Sequence, residues 1–428
     1  MNFITTFINA WGQPEIKRRI LFVIGMFFVF VFGSHIPVPG TNPEALKGMF
    51  ERGGGGGLLN ILDIFSGGSL KRISVFALGI MPYINASIIF NLLVVVFPQL
   101  QELQKEGEAG RRKIGQWTKY LTVFLAALQA FGMLMIFTGQ RSGVGSGILV
   151  NPTLFNKFFI VLTLTAGTCF LMWLGELITE YGIGNGVSLM IFAGIISRLP
   201  LQFAVDINRA IKQNEVIKVI IIFLVLFVGM IAFVVFMHLA ERRITIKYAR
   251  PGRYATPTHF LPLKVNMAGV IPIIFAVSVL LFPATVAGFL PSDAARSWAN
   301  SFTGSVLYYI LYFLLTVLFT FFYTAVVFNP TEVADNLKKN GGYIPGIRPG
   351  KPTAEYLSRV LERLTFVGAL YLAFIATGPS AIIHALGSLQ TLNVIAGTSV
   401  LIVVGVALDT VRELEARLTM MRYEKALK

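Results

Sequence analysis

The sequence predicts an all-α polytopic membrane protein with ten transmembrane helices, arranged as two inverted five-helix halves, and with a re-entrant plug helix. Three observations support this class. The 428-residue chain is 55% hydrophobic with a mean hydropathy of +0.72. Only 13% of its residues are charged, about half of the ~25% that is usual in soluble proteins. Its apolar residues form long runs, and its basic residues concentrate in alternate loops between them.

The spans are runs of about 17–25 apolar residues, long enough to cross the hydrocarbon core. In chain order they are 20–36, 74–98, 117–137, 156–176, 186–199, 216–239, 267–289, 305–328, 365–385 and 391–408. The fifth run is shorter than the rest, but the number of membrane crossings supports it as a span. The basic loops 101–119 and 241–264 should share one side, so an even number of crossings must separate them. The run at 186–199 is the candidate that completes the fourth crossing.

The basic residues predict the orientation of the chain. The even-numbered loops and the two termini carry 25 of the 36 Lys and Arg residues, and basic loops stay cytoplasmic. Both termini are therefore expected in the cytoplasm. Residues 1–200 would form the N-terminal half with spans 1–5, and 201–428 the C-terminal half with spans 6–10. An odd number of crossings in each half gives opposite insertion, and inverted repeats commonly place a functional path at their interface.

A re-entrant segment is predicted at about 58–72, between the first two spans. The stretch is apolar, but Asp63, the Gly67-Gly68 pair, Lys71 and Arg72 interrupt it. It is too short and too charged to cross the hydrocarbon. The span that follows contains further polar or helix-breaking residues: Pro82, Asn85, Ser87 and Asn91. Such features at membrane depth are tolerated only beside protein or a water-filled cavity, which suggests a plugged aqueous pore.

Two other classes of membrane protein would require features that the sequence lacks. An ion-coupled carrier of small solutes would need ionisable residues or broken helices at the midplane, but Glu176, Glu180 and Asp409 lie at span ends. An integral membrane enzyme would need an acidic metal motif, and the scattered acids show no such spacing. Cys169 is the only cysteine, so no disulfide framework or cysteine metal site is expected. The sequence predicts no catalytic residues, no metal site and no cofactor.

Two long cytoplasmic loops, about 240–265 and 329–364, exceed the usual 4–6 residues of a connection. Alternation in the first predicts a hairpin that turns at Pro251-Gly252. The second has a helix-like start, a tip rich in Gly and Pro, and a second helix. Ordered, basic loops suggest a docking surface for ribosomal RNA or an acidic protein. The alternative is that these basic loops only bind anionic lipids, which would hold them at the cytoplasmic surface of the membrane.

Four apolar residues suggest a pore constriction. Ile80 and Ile84 are one helical turn apart, as are Val187 and Ile191. Branched apolar side chains could close around an extended chain and block ions by dewetting. Ordinary helix packing would give the same spacing, so periodicity leaves both interpretations open.

Several blocks of the sequence strongly resemble the SecY family of protein-translocation channels. They include FSGGSLKRISVFALGIMPYINASII, LPLKVNMAGVIPIIFAVSVLLFPAT, NPTEVADNLKKNGGYIPGIRPG and GTSVLIVVGVALDT. IPVPG after the first span and GIGNGVSLMIFAGI also fit. The blocks follow the family order from the first span to the last, so the resemblance covers essentially the whole chain.

The resemblance implies a clamshell around an hourglass pore. A secreted chain would pass through it, and signal sequences or membrane segments would leave sideways between spans 2 and 7. The implied pore ring is Ile80, Ile84, Val187, Ile191, Ile274 and Ile402, with Val187 where the family has Ile. The implied plug comprises Leu58, Leu59, Ile61, Leu62, Ile64, Phe65, Gly67 and Gly68. The implied lateral gate comprises Ser87, Asn91, Asn266, Val277 and Phe282.

The resemblance also implies partners and a location. The two long loops would receive the SecA motor ATPase or the ribosome, with Arg348 the leading candidate contact and Arg250 and Arg253 weaker ones. SecE and SecG would be companion subunits, and secretory and membrane nascent chains with signal sequences the substrates. The location would be the bacterial cytoplasmic membrane. The C-terminal tail ends at YEKALK and is shorter than expected for the family.

Overall fold

The computed structural model describes residues 11–42, 44, 63, 66–138, 149, 153–212, 216–248, 259–289, 297–298, 301–302, 305–385 and 397–427. Its helices are α1 (Pro14–Gly33), α2 (Met81–Val96), α3 (Pro98–Lys105), α4 (Glu108–Thr138), α5 (Leu154–Tyr181), α6 (Gly186–Lys212), α7 (Val216–Leu239), α8 (Ile271–Phe289), α9 (Val306–Val327), α10 (Pro330–Lys339), α11 (Lys351–Ala385) and α12 (Gly397–Leu427). Its strands are β1 (Glu241–Tyr248), β2 (His259–Lys264) and β3 (Gly342–Tyr343).

The chain divides into two compact units. Unit 1 comprises Met1–Val216, Ser278–Tyr308 and Val406–Lys428, and unit 2 comprises Ile217–Val277 and Tyr309–Gly405. Each unit has its own buried apolar cluster. In unit 1 a cluster around Ile73, Ile160 and Leu164 packs the start of the second predicted span against α5. The division into two inverted halves at residue 200 stays a prediction.

Among the described residues, four stretches are long and apolar enough to cross a membrane: Glu108–Met135, Leu154–Tyr181, Val306–Lys339 and Lys351–Pro379. The pair α2 and α3 makes a fifth if the two helices form one span bent by 101°. Shorter apolar helices lie at Gly186–Pro200, Phe227–Leu239 and Ile271–Pro283. These findings support a polytopic membrane protein, while the number of ten crossings stays a prediction.

Large apolar side chains cover the outer faces of these helices. Phe28 on α1 is 72% exposed and Phe124 on α4 is 65% exposed, and Leu318 on α9 is also exposed. A water-soluble monomer rarely exposes apolar surface on this scale. The exposure is expected where lipid tails replace water as the surrounding solvent.

The prediction that the second span begins as a helix at residue 74 is wrong, because Ser74 forms a β-bridge with Pro37, residues 75–80 form turns and α2 begins only at Met81. The Val75 N–H donates to the Ile36 carbonyl over 3.0 Å. Two glycines make room for the turn: a Cβ at Gly33 would overlap the Phe76 ring, and a Cβ at Gly167 would overlap the Val75 carbonyl oxygen. Hydropathy shows that this segment is apolar, but it does not show that the segment's irregular backbone is surrounded by protein.

The first long loop forms the predicted hairpin, with β1 antiparallel to β2 and Arg242 opposite Leu263. The predicted turn at Pro251-Gly252 lies outside the described residues. A third strand joins it, because Lys247 pairs with Tyr343 and Tyr248 with Gly342. The sheet order is β2-β1-β3, so the two long loops form one structure. The all-α class therefore needs a correction: the fold is mainly helical with one small sheet.

The second long loop also follows its prediction in outline. The Asn329 side-chain oxygen accepts hydrogen bonds from the backbone of Thr331 and Glu332, which caps α10, as expected for Asn before a first-turn proline. The predicted second helix and the ninth predicted span are one continuous helix, α11. Beneath the sheet, Leu263 and Leu357 are fully buried beside Ile244 and Ile344.

Candidate pore, plug and docking surfaces

The described part of the predicted plug is Asp63 and residues 66–72; Leu58, Leu59, Ile61, Leu62, Ile64 and Phe65 lie outside the described residues. Residues 66–72 form turns. Gly67 and Gly68 have φ angles of +67° and +82°, which glycine adopts without strain. A Cβ at Gly67 would lie 2.8 Å from the Gly194 Cα of α6, so the two backbones touch without intervening side chains.

Asp63 is the centre of a buried charge cluster. Its side chain is 0% exposed, and its Oδ2 lies 3.0 Å from Arg198 Nη1 and 3.7 Å from Lys71 Nζ. The Arg198 contact is an ion pair whose angles do not fit a hydrogen bond. The Lys71 N–H donates to Asp63 Oδ1 over 3.0 Å. We call Asp63, Lys71 and Arg198 the Asp63 cluster.

The backbone around Asp63 is fixed as well. The Asp63 carbonyl accepts from the Gly68 N–H at 2.9 Å and from the Ser66 hydroxyl at 3.2 Å. Arg198 is one helical turn beyond Gly194 on α6. The plug therefore meets α6 at two adjacent points: Gly67 of the turn contacts the Gly194 backbone, and Asp63, which is hydrogen-bonded to that turn, pairs with Arg198.

The candidate pore residues divide between the two units. In unit 1, Ile80 and Ile84 are buried at consecutive turns, with the Ile84 N–H donating to the Ile80 carbonyl over 3.1 Å. Also in unit 1, α6 carries Ile191, which is buried, and Val187, which is half-buried. In unit 2, Ile274 on α8 is half-buried and Ile402 on α12 is buried. A ring drawn from both units stays a prediction.

The candidate gate residues have different environments. On α2, Ser87 is half-buried and Asn91 is exposed. In unit 2, Val277 and Asn266 are buried, and the Asn266 Oδ1 has no hydrogen-bond partner within the described part of the chain. Phe282 on α8 is 56% exposed. A buried amide oxygen without a partner is unfavourable, so Asn266 has unused capacity to accept a hydrogen bond.

The candidate docking surface lies on the sheet and its neighbouring helices in unit 2. Arg348 is exposed in a loop whose Gly346 and Gly350 have φ angles of +84° and +97°. The Thr353 hydroxyl donates to the Arg348 carbonyl over 2.8 Å, so the backbone beneath the guanidinium is ordered. Arg250 and Arg253 lie outside the described residues.

The docking surface is basic overall. Within 241–248 and 330–363 the exposed ionisable side chains are nine Lys or Arg and five Asp or Glu. The basic ones are Arg242, Arg243, Lys247, Lys338, Lys339, Arg348, Lys351, Arg359 and Arg363. A rigid surface with this excess suits an acidic protein or nucleic acid.

Two ion-pair systems were not predicted from the sequence. The Asp63 cluster joins residues 135 positions apart, from Asp63 to Arg198, and only the unusual Asp within an apolar stretch signals it. Lys119 on α4 pairs with Glu176 on α5 over 2.7 Å. This pair gives Glu176, at the end of the fourth predicted span, a local counter-ion.

Comparison with solved structures defines the class of fold. The chain matches a structure described as a protein conducting channel with a TM-score of 0.63 and 17% identity, covering 94% of this chain and 93% of that one. It matches Sec61 from a canine ribosome-channel complex with a TM-score of 0.61 and 17% identity over the same shares. The fold is thus that of a protein-conducting channel.

Sequence comparison then gives the family. The SecY family profile matches residues 74–411. The protein translocase subunit SecY of Escherichia coli K12 is 47% identical over 97% of this chain and 95% of its own length. The corresponding subunit of Streptomyces griseus is 45% identical over 99% of this chain and 100% of its own length. The chain belongs to the SecY family.

Proposed function

We propose that this chain is the channel subunit of a bacterial protein translocase, passing unfolded secretory polypeptides across the cytoplasmic membrane. The observation that carries the proposal is the 47% identity to a translocase subunit over nearly the full length of both chains. Similarity of this extent includes the plug, the candidate pore residues and both docking loops. Both termini and the basic sheet would face the cytoplasm.

The closed channel would be sealed at two levels. Ile80, Ile84, Val187, Ile191, Ile274 and Ile402 would form the apolar ring, and the plug at about 58–72 would occlude the path beside it. An apolar ring excludes hydrated ions by dewetting yet makes no specific hydrogen bonds to a passing chain. Such a ring would tolerate any unfolded sequence, as a general secretion channel requires.

Membrane segments and signal sequences would leave sideways between spans 2 and 7. Ser87, Asn91, Asn266, Val277 and Phe282 would line this gate. The buried Oδ1 of Asn266 without a hydrogen-bond partner supports a polar gate contact, because opening would give that oxygen access to water or to a passing chain. A mixed polar and apolar lining would favour apolar segments that complete its packing.

The chain would depend on an external motor. SecA or a translating ribosome would bind the basic sheet through Arg348, with Arg250 and Arg253 contributing, and SecE and SecG would be the companion subunits. Two solved relatives are described as ribosome-bound complexes, which supports a ribosome as one partner. Anionic lipids would contact the same basic loops at the membrane surface. No catalytic step, metal or cofactor is assigned to the chain itself.

Reconstitution tests the proposal. The purified chain would be placed in liposomes with SecE and SecG, then mixed with SecA, ATP and a labelled precursor. We expect protease-protected precursor only when ATP and an intact signal sequence are present. Absence of protection in vesicles that still bind SecA would contradict the channel function.

A further inference from the structure

We infer that Asp63 and Arg198 position the plug: their buried ion pair holds the segment at 66–72 against α6 in the closed channel and separates when the channel opens. The inference rests on the proposed channel function. Asp63 and Arg198 are positioning residues, since neither needs to touch the translocated chain for its effect.

The plug turn approaches α6 through two glycines, Gly67 and Gly68. Gly67 meets Gly194 backbone to backbone, and a Cβ added at Gly68 would lie 4.0 Å from the Arg198 Cδ. Two glycines provide close approach but no interlocking side chains. The ion pair between Asp63 and Arg198, one turn further along α6, adds a charged attachment to this backbone contact.

An ion pair suits an attachment that must open. Charged side chains recover their hydration when they separate into water, whereas apolar side chains do not. Replacing a buried ion pair with apolar residues is often neutral or stabilising, so stability alone is a weak reason for placing charge here. A need to release the contact into an aqueous pore is a sufficient reason.

Lys71 gives the released segment its own counter-ion. It lies in the same segment as Asp63, with its Nζ 3.7 Å from Asp63 Oδ2 and its N–H on Asp63 Oδ1. When α6 and the segment separate, Asp63 and Lys71 can stay together and remain locally neutral. Arg198, whose side chain is 11% exposed in this structure, would be left as a cation on α6.

The perturbation is removal of one charge at a time. Asp63→Asn keeps the shape of the side chain and an oxygen for the Lys71 N–H, and Arg198→Gln removes the other charge. Removing one partner of a buried pair leaves the other charge uncompensated. In Arg198→Gln, Lys71 still neutralises Asp63, and in Asp63→Asn the remaining Lys71 side chain is 34% exposed and can be hydrated. We therefore expect a shift toward the open channel of about tenfold, well below the hundreds- to thousands-fold that loss of one partner of an isolated buried pair gives.

The experiment uses the chain in membranes with SecE and SecG and has two readouts. One is the ion conductance of the resting vesicles, and the other is export of a precursor with a defective signal sequence. Both should rise about tenfold in Asp63→Asn and in Arg198→Gln, while export of a normal precursor persists. Arg198→Lys, which keeps the charge, should restore most of the seal.

Matched variants separate this role from general effects. Arg112→Gln is the control, because Arg112 is an exposed cation on α4 whose ion pair with Glu108 lies outside the plug; it should behave as wild type. The double variant should be no leakier than either single variant, since contacting residues are not additive. Wild-type conductance in Asp63→Asn and Arg198→Gln, or an equal leak in Arg112→Gln, would overturn the inference. Failure of wild type to export the normal precursor would instead refute the channel function.

Discussion

Gly167 gives the sharpest test of how the second span is positioned. The perturbation is Gly167→Ala on α5. The new Cβ would overlap the Val75 carbonyl oxygen and would lie 2.9 Å from the Val75 carbonyl carbon. Val75 cannot retreat easily, since its N–H is bonded to the Ile36 carbonyl over 3.0 Å. We therefore expect the turn at 75–80 to shift, and Ile80 with it.

The magnitude follows from two opposing effects. Overpacking a close-packed site costs about 1–3 kcal/mol, and a rigid backbone neighbour favours the upper end of that range. Alanine in place of glycine gains about 1 kcal/mol of helix propensity. The net loss of stability should be about 2 kcal/mol. For a domain of about 150–250 residues this lowers the apparent unfolding temperature by about 4–8 °C.

The assay is thermal unfolding in detergent, followed by loss of the intact chain from a sizing column. Gly25→Ala on α1 is the matched control, because nothing lies within 4 Å of a Cβ at that position. It should unfold at or slightly above the wild-type temperature. If Gly167→Ala unfolds at the temperature of Gly25→Ala, residues 74–80 do not pack against α5 as described.

Two further predictions concern the docking surface. Arg348→Glu should weaken SecA-driven translocation about tenfold, because it reverses a charge at the proposed contact, while the protein stays folded in the membrane. Lys113→Glu, at an exposed position on α4 outside the docking surface, is the control and should secrete normally. Normal secretion by Arg348→Glu would refute the role of Arg348. Leu263→Ala should destabilise the sheet by about 2–5 kcal/mol, because Leu263 is fully buried. Limited proteolysis between β1 and β2 should therefore be faster in this variant. Phe260→Ala, at a 55% exposed position, is the control and should leave the cleavage rate unchanged.

The parts of the fold with strong local patterns could be predicted from the sequence. The long apolar runs at 117–137 and 156–176 lie within α4 and α5, and the alternating segment at 241–264 forms β1 and β2. The family blocks also led to the correct family. These features depend on hydropathy, periodicity and motif order, which a single sequence displays directly.

The remaining features depend on contacts between distant residues. The two-residue strand β3 is too short to show any periodicity, so its pairing with β1 was not predicted. The start of α2 was misplaced because an apolar turn and an apolar helix have the same hydropathy. Asp63 was interpreted only as an interruption, since nothing near it in sequence identifies Arg198 as its partner. The ring and the gate combine residues of both units, so they stay predictions.

Site-specific crosslinking tests the central claim most directly. Cys169 would be changed to Ser, and single cysteines placed at Ile84, Ile274 or Ile402 in a channel holding an arrested secretory chain. Phe124 and Leu318, both exposed apolar positions on helix surfaces, provide the lipid-facing controls. The proposed channel predicts crosslinks from all three ring positions and none from the controls. An absence of crosslinks at the ring in a complex that still binds its motor would contradict the proposed path.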